Sequence, residues 1–141
     1  MPRFVYTYPS ATEAHDGMLD DLFRSLTECG IDTAWQHAVS IAVSEAFTNA
    51  VIHGNRQDAT KRVVLQLEVN DRQITADIID QGVGGLKQVE AKRPSGELDE
   101  SGRGVDLIRH YADMCQFAET EEGGLQVTLS FLRTKKSVKT V

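Results

Sequence analysis

The chain has 141 residues, 40% hydrophobic and 26% charged, with 21 acidic against 15 basic side chains for a net charge of −6. That length suits one domain with a single core, and the acidic balance argues against nucleic acid as the main partner. No apolar run approaches the roughly 18 residues that span a bilayer, so no membrane partner is expected.

The first residues, Met-Pro-Arg-Phe-Val-Tyr, hold no apolar signal-peptide core, and a cytoplasmic protein is expected. Two cysteines, Cys29 and Cys115, have no C-x-x-C spacing and no histidine cluster nearby; both read as reduced thiols. Arg3–Tyr8 alternates with Phe4, Tyr6 and Tyr8 on one side, which predicts a first strand ended by Pro9. Ser10-Ala-Thr-Glu13 has the form of a capping box, opening a helix over Ala11–Cys29 that Gly30 stops.

Asp32 or Thr33 can cap a second helix, which runs to His53-Gly54-Asn55. Residues four apart on a helix share a face, so Glu45 and Asn49 lie on one stripe that His53 approaches. Ala34, Ala38, Ile41, Ala42 and Ile52 surround that stripe, and Val39, Val43 and Phe47 form a second apolar row. A helix so apolar is buried, and a buried carboxylate and amide need partners. Neighbouring loops could supply them. Alternatively, the small residues leave room for a ligand, and a carboxylate with an amide four residues on suits a Mg²⁺ that also holds phosphates and waters.

The period then changes to two. Val63, Leu65, Leu67 and Val69 alternate with polar residues, Asn70-Asp71 supplies a turn, and Ile74, Ala76 and Ile78 resume the pattern, which predicts a hairpin. Asp80 has the parity of the apolar residues and falls on the buried side at the strand's end. It opens Asp80-Gln81-Gly82-Val83-Gly84-Gly85, either a strand-ending turn or a backbone that passes close to a ligand. Leu86–Ser101 lacks periodicity and is long for a loop in so small a domain. Ser101-Gly102-Arg103-Gly104 leads into helical spacing at Val105, Ile108 and Tyr111. Glycines there leave free N–H groups for an anion, or form a simple hinge. Met114–Thr120 and Leu125–Leu132 form a last hairpin, and Thr134–Val141 reads as a loose tail. The order of segments predicts one α/β domain over residues 1–141, a two-layer sandwich with a mixed sheet.

Three motifs thus fall in sequence: E-x-x-x-N-x-x-x-H-G on a helix, D-x-G-x-G after a hairpin strand, and G-x-G opening a helix. In that order the chain resembles the GHKL ATP-binding superfamily, shared by gyrase-type topoisomerases, histidine kinases and anti-sigma-factor kinases. Ser44–Gly54 is similar to the S-E-A-x-x-N-A-x-x-H-G stretch of stand-alone bacterial anti-sigma factor serine kinases of the RsbW type. The resemblance runs from the first strand to the last. It implies a Bergerat-type fold, a mixed, mostly antiparallel sheet with about three helices on one face, and binding of ATP with Mg²⁺.

The resemblance also implies roles. Asp80 would accept a hydrogen bond from the adenine amino group, with Gly82 and Gly84 passing beside the base. Asn49 would ligate Mg²⁺, and His53 would cap the helix end near the site. Gly102, Arg103 and Gly104 would offer N–H groups to the phosphates under a lid formed by residues 86–101. Glu45 would be the general base toward a serine of an anti-anti-sigma factor of the STAS type, while the chain itself binds a sigma factor and pairs as a homodimer. Where the family often carries Gly-Thr after the last turn, this chain has Gly124-Leu125-Gln126, so a hydroxyl near adenine is missing or comes from Thr128. Nothing before Phe4 offers a helix bearing an acceptor histidine, and no G-x-x-x-x-G-K-[ST] occurs. The alternative is a module that binds ATP and sequesters its partner without phosphotransfer.

Overall fold

The computed structural model describes residues 2–86 and 100–133, the side chains of 100–105 excepted. Strand β1 (Arg3–Pro9) is followed by a 3₁₀ turn (Thr12–Ala14), helix α1 (His15–Glu28) and helix α2 (Thr33–Asn49), which passes into a π-helical turn (Ala50–Gly54). The chain continues through β2 (Arg62–Val69), β3 (Gln73–Ile79), α3 (Glu100–Tyr111), β4 (Met114–Glu119) and β5 (Leu125–Leu132). The strands form one sheet in the order β1-β2-β3-β5-β4, and α1, α2 and α3 cover one face.

All four pairings are antiparallel, where a mixed sheet was expected. The reason lies in the last hairpin. Strand β4 runs in the same sense as β3, but β5 inserts between them, so the two parallel strands never become neighbours. The two-layer sandwich itself is as the segment order indicated.

Period-two patterning places Val63, Leu65 and Leu67 of β2, Ile74, Ala76 and Ile78 of β3, and Val127, Leu129 and Phe131 of β5 under the helices, all buried. From the helical layer Met18, Leu22 and Leu26 of α1 and Val39, Val43 and Phe47 of α2 meet them. The aromatic side of β1 packs below α1. There the Tyr8 hydroxyl donates to Asp21 Oδ2 at 2.6 Å, and burial pushes the phenol well above its ordinary range. That same bond, with Arg24 beside it, holds the Asp21 carboxyl below the usual carboxylate range.

Helix ends follow the sequence at three of four places. Asp32 Oδ1 accepts from Trp35 N at 2.9 Å and caps α2. Gly30 takes a φ of +72°, and the N–H of Ile31 reaches back to Leu26 O, closing α1. The second helix ends at Gly54 as expected, but in a π turn. The fourth place differs. No side chain caps the start of the 3₁₀ turn or of α1, and Ser10 is fully buried and accepts instead from Asn55 Nδ2 at 3.0 Å. The capping box fails because its serine is committed to a partner 45 residues away.

Most of the segment 86–101 expected as a lid, and the tail 134–141, lie outside the described residues. Cys29 and Cys115 are both free, with burial pushing their thiols up. Among the described residues no helix is long and apolar enough to cross a membrane.

Candidate nucleotide-binding site

Asp80 stands one residue beyond β3 and is only 4% exposed. Strand parity turns it inward, as the sequence indicated, and the turns around it supply its partners. Oδ1 accepts from Gly82 N at 2.9 Å and from Leu125 N at 3.0 Å. Burial raises the carboxyl above its ordinary 3.8, and the two N–H donors and nearby Lys61 offset part of that rise. Its second oxygen, Oδ2, lies against Gly54 at the end of the turn after α2.

Two glycines press on Asp80, and a third presses on one of them. A Cβ at Gly54 would stand 2.1 Å from Asp80 Oδ2, one at Gly124 2.2 Å from Asp80 O, and one at Gly82 1.9 Å from Gly54 O. The end of α2 therefore closes directly onto the Asp80 loop. Gly84, further along that loop, has a φ of +74° that a side chain would strain. Gly54→Ala is expected to destabilise the fold by about 1–3 kcal/mol, because both backbone and carboxylate must move. Urea unfolding of the variant beside wild type measures it.

Glu45 and Asn49 share one stripe of α2, both half-buried, between half-buried Ile41 and Ile52. His53 departs from that stripe. After Asn49 the bonding changes to i→i+5, with Asn55 N donating to Ala50 O at 2.8 Å, so His53 swings off the α-helical line and is exposed. The stripe runs into the turn whose Gly54 abuts Asp80, which joins the helix motif to the strand-end motif.

Gly102, Arg103 and Gly104 fall within α3 (Glu100–Tyr111) rather than before it. The first four N–H groups of a helix lack internal partners, which leaves this end able to receive an anion. Thr128 does not join the site. It sits on the opposite face of the sheet, paired with Asp77, to whose Oδ1 its hydroxyl donates. The strand alternation that buries Val127 and Leu129 turns Thr128 away from Asp80, so the hydroxyl expected near adenine does not come from it.

Asn55 was read from sequence only as a helix stop, yet it is 1% exposed and bonded to three segments. Nδ2 donates to Ser10 Oγ and to Arg62 O, each at 3.0 Å, and Oδ1 accepts from Gln81 N at 2.8 Å. A polar residue after a His-Gly helix end gave the only local signal; its partners are remote in sequence.

These residues suit a nucleotide. The glycines let the end of α2, the Asp80 loop and the last turn close on the buried carboxylate where any Cβ would intrude, and a carboxylate so held can accept from an amino group. Among the described residues no group of three His, Cys, Asp or Glu could cage a metal. The amide of Asn49 with Glu45 one turn away fits a Mg²⁺ that takes its remaining ligands from phosphates and water.

Residues 9–131 match the family described as histidine kinase-like ATPase domain. The chain belongs to that family. Within it the sequence is similar to the anti-sigma F factor of Clostridium beijerinckii, 33% identical over 99 residues covering 64% of this chain and 66% of that one. It is also similar to the anti-sigma F factor of Bacillus subtilis, 29% identical over 96 residues, with 65% and 66% covered. The chain thus spans about two thirds of the length of these relatives. The solved structure of the RsbU and RsbW domains of Rv1364c from Mycobacterium tuberculosis superposes with a TM-score of 0.68 at 20% identity, covering 94% of this chain and 32% of that one. That likeness bears out the histidine kinase-like ATPase fold, with its antiparallel sheet and three-helix layer.

Proposed function

We propose that this histidine kinase-like ATPase domain is an anti-sigma factor that binds Mg-ATP and phosphorylates a serine of an anti-anti-sigma factor of the STAS type. The observation that carries the reading is the buried Asp80 carboxylate in its cradle of Gly54, Gly82 and Gly124. The names of the anti-sigma F factors support the sigma-factor side of it.

In this reading Asp80 Oδ2 accepts from the adenine amino group while Oδ1 keeps its two backbone donors. Gly82 and Gly84 let the chain pass along the base. The opening turn of α3, with Gly102 and Arg103, holds the phosphates by its free N–H groups, and Gly104 keeps that turn free of side-chain bulk. Asn49 ligates Mg²⁺, which when bound offsets phosphate charge. His53 borders the site from the π turn. Glu45, one turn before Asn49, takes the proton of the partner's serine hydroxyl as its oxygen attacks the γ-phosphorus and the bond to the ADP oxygen breaks. The protein acts in the cytoplasm, as a homodimer.

The test mixes the chain with Mg-ATP and its antagonist protein and reads phosphoserine on the antagonist by mass spectrometry. Phosphoserine with release of a bound sigma factor is expected. Binding of ATP without transfer would leave a sequestering module in its place, and no binding of ATP or ADP at millimolar concentration would remove the nucleotide reading altogether.

A further inference from the structure

The Asp80 carboxylate is aimed by the two peptide groups that flank its Cα, and they are anchored to different layers. The Asp80 N–H donates to Leu125 O at 3.0 Å, which ties it to β5. The Gln81 N–H donates to Asn55 Oδ1 at 2.8 Å, which ties it to the end of α2. The Asn55 side chain is itself immobilised, because both remaining bonds of its carboxamide go to fixed groups: Ser10 Oγ, fully buried at the end of β1, and Arg62 O at the start of β2. Gln81 returns the link, its Oε1 accepting from Arg62 N at 2.6 Å. The buried amide therefore meets three donor and acceptor demands at once, and no shorter or apolar side chain does so.

We propose that Asn55 is a positioning residue for base recognition: it fixes the Asp80–Gln81 peptide so that the carboxylate meets the base's amino group at a hydrogen-bonding angle. This rests on the nucleotide reading above. Hydrogen bonds weaken steeply as alignment is lost, so a loosened peptide costs selectivity between bases before it costs the fold. The Mg²⁺ and phosphate contacts lie elsewhere on α2 and α3 and are independent of it.

The experiment compares binding of ATP and of inosine triphosphate, which carries a carbonyl where ATP carries the amino group, by calorimetry in wild type, Asn55→Ala and Ser10→Ala. Thermal unfolding of each protein is recorded alongside. Asn55→Ala is expected to lower the preference for ATP over inosine triphosphate about tenfold, with affinity for inosine triphosphate little changed. Ser10→Ala, which loosens the amide at one of its three bonds, is expected to lower it about threefold, and decides the matter should Asn55→Ala fail to fold. A merely structural residue would lower the unfolding temperature and weaken both nucleotides in proportion. An unchanged preference in a folded variant overturns the role of Asn55 and leaves the nucleotide reading intact. Failure of wild type to bind ATP overturns both.

Discussion

Replacing Asp80 by asparagine is expected to give a protein that folds at least as well as wild type at neutral pH and binds ATP roughly 10- to 150-fold more weakly. The two effects have one cause. Burial disfavours the charged form of this carboxyl and raises it above its ordinary 3.8. In the interval between 3.8 and the raised folded value, the native state holds a proton that the unfolded state has released. The contribution of Asp80 to stability therefore declines as pH rises through that interval and stays low above it. Asparagine keeps an oxygen for the Gly82 and Leu125 N–H groups and removes the buried charge, so that pH slope disappears and the variant gains on wild type as pH rises. The other side of the amide, however, presents N–H toward a base that also presents N–H. Two donors face each other, and affinity falls. Thermal unfolding across the acid range and calorimetric titration with Mg-ATP measure the two halves. A variant that is destabilised at neutral pH would contradict the assignment of burial as the dominant influence on Asp80.

Glu45→Gln is expected to reduce phosphotransfer to the antagonist by about 10²- to 10⁴-fold while ATP affinity stays within about threefold of wild type. Glutamine preserves the shape of a half-buried side chain on α2 and removes only its capacity to accept a proton. In the proposed function adenine recognition lies with Asp80, which abuts Gly54 at the far end of the turn after α2, and is left alone. Incorporation of labelled γ-phosphate into the antagonist, beside nucleotide titration, separates chemistry from binding. Transfer at the wild-type rate would show that Glu45 is not the base.

The sequence made the strands legible because each inward residue of β2, β3 and β5 is apolar at strict period two, and the same parity put Asp80 on the buried side. It made α2 legible through Asp32 at its start and the apolar row of Val39, Val43 and Phe47. What escaped were features set by contacts remote along the chain. Ser10 looked like a local cap and serves Asn55. His53 looked like the next residue of the Glu45–Asn49 stripe, and the π turn removes it from that line. Thr128 looked like a spare hydroxyl for the base, although period two alone assigns it to the far face, where Asp77 receives it. The sheet's sense depended on β5 entering between β3 and β4, which no local pattern announces.

Asn55 illustrates the same limit at the site. Composition and spacing give no sign that one amide connects the ends of β1 and α2 with the start of β2 and the Asp80 loop. Gly54 does carry a local signal, since His-Gly at a helix end invites a stop, but its need for no side chain comes from Asp80 Oδ2 across the fold.

The measurement that bears most directly on the whole account is a calorimetric comparison of ATP with inosine triphosphate on the wild-type chain in excess Mg²⁺. The buried carboxylate predicts that ATP binds and that the oxo analogue, which sets an acceptor against it, binds at least about tenfold more weakly. Equal affinity for the two nucleotides, or none for ATP, would contradict it.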